Sequence, residues 1–293
     1  MSGILYVVAT PIGNIEEISP RALDVLSTID LIAAEDTRTT KLLLSLQGIK
    51  AKKIISYHKF NEGAKLDSLL EKLIEGQNIA LVSDAGTPCI SDPGYLLVKE
   101  AAAAGIKIVG VSGACSLITA LSVSGFPAEP FLFVGFLPRK AADIIRTMTT
   151  ACAAASQSLT VIFFESPKRI TVTIKLLADH FPESSVCCCN DLTKKFEQIY
   201  RGSPAEVLEA LQDNINAEKG EYTCVLYMQQ HSFKDAEEKE SPSLESQLTD
   251  IIVKSGCSVK EAVNTLSEML DNTGKKEIYA AGLRLKKLAE GFL

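Results

Sequence analysis

Three segments rich in glycine, proline and small polar residues fall where apolar runs end. They are Ala9-Thr10-Pro11-Ile12-Gly13-Asn14, the stretch from Ser83 to Gly94, and Ser112-Gly113-Ala114-Cys115-Ser116. Ligands of open α/β sheets bind outside the carboxyl ends of the strands, so three such segments could converge on one cleft. The middle one packs two Asp, two Pro and two Gly into twelve residues, more turn chemistry than a strand-to-helix connection needs. Taken alone, an ordinary tight loop would explain it as well. Glu35, Asp36 and Arg38 follow another apolar run. A carboxylate there can accept a proton and an arginine can hold a phosphate. A structural alternative is open, in which Asp36 caps the next helix and Arg38 pairs with it. No G-x-G-x-x-G opens the first helix, and neither a G-x-x-x-x-G-K-[ST] nor a G-x-S-x-G pattern occurs. His58, His180 and His231 lie far apart and match no metal-ligand spacing, so no metal is expected. Eight cysteines include the run Cys187-Cys188-Cys189. Neighbours in a strand face opposite ways, so the run cannot hold a compact zinc site, and buried thiols in a reducing compartment are expected.

The elements that must position these residues alternate. Apolar runs at 4–9, 31–34, 54–57, 79–83 and 107–111 read as strands. Between them, Ser19-Pro20 reads as the start of a helix to about residue 28. Asn61 reads as the cap of another helix, with Leu66, Leu69, Leu70, Leu73 and Ile74 on its apolar face. Strands alternating with helices predict a mostly parallel sheet covered by helices. A second α/β block has strands at 131–135, 159–164, 185–189, 196–200 and 223–228, with helices at 139–155, 167–180 and 204–215. Only one helix separates its last three strands, which predicts a mixed sheet. A polar stretch at 231–243 reads as a linker. The remaining residues read as helical, with Ser258 capping a segment that carries Val259, Ala262, Val263, Leu266 and Met269, and a last helix from Lys275 onward. The expected organisation is therefore an α/β domain at 1–115, a second at 116–230, the linker, and a helical segment at 244–293 that should dock on something.

Composition narrows the function classes. The chain has 293 residues, 46% of them hydrophobic, a net charge of −6, no Trp and few aromatics, with a sequence pI near 5.3. That counts against a promiscuous nucleic-acid binder, which is usually basic, and weakly against one that reads single strands by stacking. The N-terminus runs directly into a strand with no signal-peptide pattern, and no apolar stretch approaches membrane-spanning length. A soluble, cytoplasmic protein without membrane partners is expected.

Taken together, the motifs resemble a known family. Val8 to Asn14, Arg21-Ala22-Leu23, Ala34-Glu35-Asp36-Thr37-Arg38, Ser83 to Gly94 and Gly135-Phe136-Leu137-Pro138 are similar to segments of the bacterial 16S rRNA cytidine 2′-O-methyltransferases, within the tetrapyrrole methylase superfamily. So are Phe164-Glu165-Ser166-Pro167 with Arg169, Leu192-Thr193-Lys194 and Lys219-Gly220-Glu221. The resemblance runs from Ile4 to about Met228. It implies a two-domain tetrapyrrole-methylase-like (class III) fold, a homodimer, S-adenosylmethionine held between the domains, and a target in 16S rRNA of the small ribosomal subunit. It implies that Pro11, the Asp84-Ala85-Gly86-Thr87 turn, Ile90, Ser91, Cys115 and Ser116 line the cofactor site, with Phe164 and Leu192 contributing from the second domain. Ser112–Ser116 stands where the family usually has Pro-Gly-Pro-Ser/Cys-Ala, and Asn190-Asp191 where it has Arg-Glu, which removes a long cation beside the cleft.

For transfer to a ribose 2′-hydroxyl, Glu35 and Asp36 are the candidate proton acceptors and Arg38 a candidate phosphate ligand. Further candidate RNA contacts are Lys41, Arg139, Lys140, Lys168, Arg169 and Lys194. A basic face on the helical segment, with Lys275, Lys276, Arg284, Lys286 and Lys287, could also meet RNA. Two rivals stand beside this reading. One is a small-molecule C-methyltransferase acting on a tetrapyrrole. The other is a ribosome-binding protein that has lost catalysis through the altered 112–116 and 190–194 loops.

Overall fold

The structure is a computed structural model that describes residues 2–50, 53–154, 158–229, 243–269 and 275–290. Most of the linker expected at 231–243 lies outside the described residues. The chain divides into two compact units, 1–230 and 231–293.

The first unit carries two five-stranded sheets. Strands β1 (Ile4–Val8), β2 (Leu31–Ala34), β3 (Ile54–Ser56), β4 (Ile79–Val82) and β5 (Lys107–Val111) form the first. Its order is β3-β2-β4-β1-β5 and all its pairs are parallel. β2 and β4 are buried along their whole length, as strands covered on both faces must be. On one face Leu5, Leu31 and Leu81 pack with Leu69 and Leu73 of α3 (Glu62–Ile74) and Leu97 of α4 (Tyr95–Ala103). On the other, Val8, Ile32 and Val82 pack with Ala22 and Leu26 of α1 (Pro20–Thr28) and Leu44 of α2 (Thr37–Leu46). Ser19 caps α1 with a bond to the Ala22 amide and Pro20 starts the helix, as the sequence predicts. Two expectations fail on α3. Ile74, at the last position of the helix, is exposed, whereas Leu73 beside it stays buried against the sheet. Asn61 stands at the N-cap without capping; its side chain turns back to accept the His58 amide and to donate to Ser56.

The second sheet, β6-β7-β10-β8-β9, is mixed. β6 (Phe131–Phe136) runs parallel to β7 (Leu159–Glu165), whereas β8 (Ser185–Asn190), β9 (Gln198–Gly202) and β10 (Tyr222–Met228) pair antiparallel. Helix α5 (Ser116–Ser124) lays Leu117, Ala120 and Leu121 on one face, against Ile162, Cys187, Cys189 and Val225. Cys188 faces the other way and meets Cys224. On that face the Cys152 thiol of α6 (Ala141–Ala154) contacts the Met228 sulfur, and α7 (Ile170–His180) and α8 (Pro204–Asp213) complete the layer. All three consecutive cysteines are buried and reduced, the alternation expected of a strand. β9 begins two residues later than the apolar run suggests, because Glu197 closes a turn by accepting the Thr193 amide. No helix among the described residues is long and apolar enough to cross a membrane.

The second unit packs α9 (Leu244–Ser255), α10 (Val259–Met269) and α11 (Lys275–Glu290) around Leu248, Ala262, Leu266, Ile278 and Ala281. Ser258 and Glu261 cap α10 reciprocally. Met269, at helical spacing with the buried residues, is exposed at the last turn. Arg284 is turned to Glu245, so one of the cations of the expected basic face is spent within the unit.

The loops at the carboxyl ends of β1 and β8 lock together. The Asn14 amide donates to Thr193 Oγ1 at 3.0 Å. Gly13 permits this approach: a Cβ there would stand 2.8 Å from Thr193 Oγ1 and 2.9 Å from the Leu192 carbonyl oxygen, both too close. Thr193 itself sits at φ 66°, so the loop has little room to yield. Gly13→Ala should therefore cost about 1–3 kcal/mol as an overpacked contact. Thermal denaturation should show the midpoint falling by several degrees, and an unchanged midpoint would mean the two loops separate freely.

Candidate active site

The three segments singled out in the sequence do meet. Thr10 and Gly86 exchange backbone bonds of 2.9 and 3.0 Å, and Thr87 Oγ1 donates to the Ala114 carbonyl at 3.1 Å. These join the carboxyl ends of β1, β4 and β5, which are neighbours or near neighbours in the sheet. Residues after β7 and β8 and at the start of β10 face them, and together they bound a cleft of about 470 Å³. The 83–94 segment follows an unusual path. Gly86, Cys89, Ser91 and Gly94 all have positive φ, at 81°, 71°, 64° and 127°. For the two non-glycine residues that conformation costs on the order of 1–2 kcal/mol each. Gly94 has no alternative, since a Cβ there would lie 2.6 Å from Leu81 and 2.9 Å from the Cys89 sulfur.

One end of the cleft is acidic. The Glu35 carboxylate accepts the Asp84 amide at 3.2 Å, and Asp84 in turn accepts the Asp36 amide at 3.0 Å. The β2 and β4 loops are thus tied by carboxylate-to-amide bonds in both directions. Asp92 completes the group on the cleft wall. Burial raises the pKa of each of the three, and repulsion within the group adds to it. For Asp92, burial first and the nearby Glu35 second push it up to about 6, against a hydrogen bond from Ser83. Asp36 differs. It caps α2 through the Arg38 amide and grips the Arg38 guanidinium, which holds its carboxyl down at about 2. The structural alternative for Asp36 and Arg38 is the arrangement present, although the Arg38 side chain remains 89% exposed.

Apolar side chains share the wall. Ile12, Ile90, Leu117 and Leu192 line it, with Phe164 packed edge-on between Phe133 and Phe136. Cys115 and Ser116 lie at the start of α5, where Cys115 provides no side-chain cap and leaves the leading amides of the helix to other partners. Of the residues expected around a cofactor, the 84–87 turn, Ile90 and Ser91, Cys115 and Ser116, and Phe164 and Leu192 all line the cleft. Pro11 is not among the lining residues, and its neighbour Ile12 is. Glu35 lines the cleft, whereas Asp36 and Arg38 stand outside its wall. Sequence reasoning gave no role to Asp92, Phe136 or Glu221. The signal for Asp92 was available: a second acid within the same glycine- and proline-rich turn as Asp84.

The expected RNA-contacting cations divide. Lys41, Arg139, Lys140 and Lys168 are exposed. Arg169 is turned inward: it donates to the Leu137 and Pro138 carbonyls and pairs at 3.2 Å with the fully buried Glu165, so its donors serve the fold. Glu165 also accepts from Ser166 and Thr173, which together offset the cost of burying its charge. Lys194 reaches the cleft rim but is held by Asp191 and Glu221 at 2.8 and 3.0 Å. Partial burial disfavours its charge, and the two ion pairs outweigh this and leave its pKa raised.

The fold and these motifs recur in known proteins. A sequence profile of the tetrapyrrole (corrin/porphyrin) methylases matches residues 4–208. Among solved structures, cobalt precorrin-4 methyltransferase, a cobalamin biosynthetic enzyme, superposes with a TM-score of 0.54 at 17% identity, covering 77% of this chain and 94% of that one. Uroporphyrin-III C-methyltransferase from Thermus thermophilus, complexed with S-adenosylhomocysteine, gives 0.52 at 17% identity, covering 76% and 97%. At this identity the likeness shows the fold. Sequence relatives are much nearer. The ribosomal RNA small subunit methyltransferase I of Vibrio cholerae is 41% identical over 96% of this chain and 94% of its own length. The proteins of that name from Escherichia coli O157:H7 and Bacillus subtilis are 44% and 37% identical over 82% and 95% of this chain, and 82% and 94% of their own lengths. With its parallel sheet, its mixed sheet and the cleft between them, this chain belongs to the tetrapyrrole (corrin/porphyrin) methylase family, on the branch of the ribosomal RNA small subunit methyltransferase I proteins.

Proposed function

We propose that this protein transfers a methyl group from S-adenosylmethionine to the ribose 2′-hydroxyl of a cytidine in the decoding region of 16S rRNA, acting as a homodimer on the assembled small subunit. The observation that carries this reading is the polarity of the cleft. Its wall joins the carboxylates of Glu35, Asp84 and Asp92 to a packed apolar group of Ile12, Leu117, Phe164 and Leu192. A sulfonium and an ammonium suit the carboxylates, an adenine suits the apolar group, and a volume of about 470 Å³ lies in the range of small-molecule sites. The leading amides of α5, which the Cys115 side chain does not cap, suit a carboxylate. The names of the relatives from Vibrio cholerae and Bacillus subtilis support ribosomal RNA as acceptor over a tetrapyrrole.

S-Adenosylmethionine, when bound, supplies an electrophilic methyl on a good leaving group. The protein's part is to align the acceptor oxygen, a contribution of about 7–11 kcal/mol in well-oriented reactions, and to take its proton. Glu35 and Asp92 are the groups for the second task. Each is a raised carboxylate on the cleft wall, and Asp92 at about 6 is ionised at neutral pH while remaining a better base than an ordinary Asp. Asp36, committed to Arg38 and the α2 amides, is a poor acceptor. Arg38, Lys41, Arg139, Lys140 and Lys168 then meet phosphates outside the cleft, and Lys194 guards its rim.

The direct test is transfer of labelled methyl from S-adenosylmethionine to small subunits lacking their native methylations, with the product nucleotide mapped. Label on one decoding-region cytidine ribose is the expected outcome. Label on a porphyrin precursor instead would reverse the choice of acceptor. Equal or faster labelling of naked rRNA would remove the assembled subunit from the proposal. Asp92 makes a further prediction. The rate should rise with pH through about 6 as Asp92 ionises, and Asp92→Asn should lower kcat by about 100-fold and flatten that limb. Its effect on stability has the opposite sign. The folded state holds the Asp92 proton more tightly than the unfolded chain does, so stability contributed by the protonated acid is lost as pH rises from about 4 through about 6. Asp92→Asn should therefore melt a few degrees higher than the parent at pH 7.5 and no higher at pH 4. Calorimetry at the two pH values checks this.

A further inference from the structure

Resting on the RNA reading of the cleft, we propose that Phe60 is a stacking platform for an unpaired base of the RNA next to the nucleotide that enters the acidic end. Phe60 is 95% exposed, the most solvent-exposed large apolar side chain of the first sheet and its helices. It does not sit on a loose loop. The Asn61 carbonyl oxygen of the side chain accepts the His58 amide at 2.8 Å, the Asn61 side-chain nitrogen donates to Ser56 Oγ at 3.0 Å, and the Asn61 and Glu62 amides both donate to the His58 carbonyl at 2.9 Å. This bonding holds the turn at the carboxyl end of β3 and presents the ring to solvent, edge-on to the His58 imidazole at 6.1 Å. Single exposed apolar side chains are ordinary on protein surfaces; what sets this ring apart is the bonding that holds its turn and the place of that turn beside the cleft.

The turn borders the acidic end of the cleft on two sides. β3 pairs with β2 in parallel up to Ser56 and Ala34, and the Tyr57 amide donates to the Ala34 carbonyl, so the turn stands beside Glu35. From the other side, the Glu62 carboxylate accepts the Gly94 amide at 3.4 Å, two residues beyond Asp92. His58 is near enough to favour the charged form of Glu35. A nucleotide reaching Glu35 and Asp92 would thus leave its neighbour over the turn.

The surroundings of the ring select the occupant. Within the turn it is flanked by His58, Lys59, Asn61 and Glu62, and α2, which follows the neighbouring strand β2, carries the exposed Arg38 and Lys41 in its first turns. Lys41 and Lys59 have no ion-pair partner among the described residues. A lone ring amid polar and cationic groups lacks the contiguous apolar area of a protein interface. It fits a nucleobase, which needs one flat face and cations for its phosphate.

The test compares Phe60→Ala, Phe60→Leu and Phe60→Trp with the parent, using unmethylated small subunits and labelled S-adenosylmethionine. Loss of one stacked base should raise KM for the subunit about tenfold in the Ala and Leu variants, while Trp stays within about twofold of the parent. The Kd for S-adenosylmethionine, read by calorimetry, should be the same in all four. Parent-like KM in Phe60→Ala, equal losses in Leu and Trp, or a change in oligomeric state by sedimentation in Phe60→Ala would each overturn the proposal. If the parent protein labels no RNA at all, the acceptor reading fails first, visibly and apart from any difference among the variants, and the platform falls with it.

Discussion

Three carboxylates held at one end of a small cleft is the constraint around which the rest of the site is arranged. Glu35, Asp84 and Asp92 repel one another, and burial discourages their ionisation further. Left to side-chain freedom they would point apart into water. The reciprocal bonds between Glu35 and the Asp84 amide, and between Asp84 and the Asp36 amide, prevent this. These bonds require the β2 and β4 loops to be side by side, which the strand order provides because β2 and β4 are paired along their length. The parallel sheet therefore does more than support the loops: its register decides which carboxylate meets which amide.

Holding Asp92 in the same group demands a tight path for the chain. The loop after β4 must leave the sheet, return toward Glu35 and then start α4, within the twelve residues from Ser83 to Gly94. Left-handed backbone at Gly86, Cys89, Ser91 and Gly94 accomplishes it. Strain of this kind persists where the surroundings over-determine the loop. Here Thr10 fixes one end through its bonds to Gly86, Thr87 binds the Ala114 carbonyl, and Glu62 receives Gly94 at the other end. The opposite wall belongs to the second sheet and is joined to the first by Gly13, Asn14 and Thr193. Cleft width is thus tied to a backbone amide, a side-chain hydroxyl and a glycine that lets the two loops meet closely.

Much of this was legible in the sequence, for identifiable reasons. Strand-then-loop alternation exposes the carboxyl edge of a parallel sheet directly, so the three loops that converge could be named before the structure, and the single helix among the last three strands gave away the mixed sheet. What escaped notice depended on partners distant in sequence. Arg169 read as a surface cation because nothing local shows that Glu165 is fully buried one turn before it. Asp36 read as catalyst or as cap, and Arg38 as a phosphate ligand or as its ion-pair partner, since an N-cap and an acid at a strand end share a sequence pattern. Pro11 and Ile12 differ by one residue, and which faces the cleft depends on the turn that Gly13 makes against Leu192. Asp92 drew no role because its significance lies in its nearness to Glu35, which the sequence separates by more than fifty positions.

The same acidic cleft bears on how a protein of net charge −6 can act on RNA. A phosphate cannot follow a sulfonium into a site walled by three carboxylates, since like charges at short range in a partly buried cleft repel strongly. On the proposed reading the part of a nucleotide that enters is its neutral part, a sugar with its base turned out of the stack, while the backbone on either side stays outside. The cations are distributed accordingly. Lys41, Arg139, Lys140 and Lys168 are exposed, and Lys194 at the rim is neutralised by Asp191 and Glu221. Such a surface attracts a polyanion weakly and without direction. On the proposed reading, discrimination comes from shape, through contacts that only a folded RNA presents together, and an assembled subunit then fits that requirement better than an extended strand.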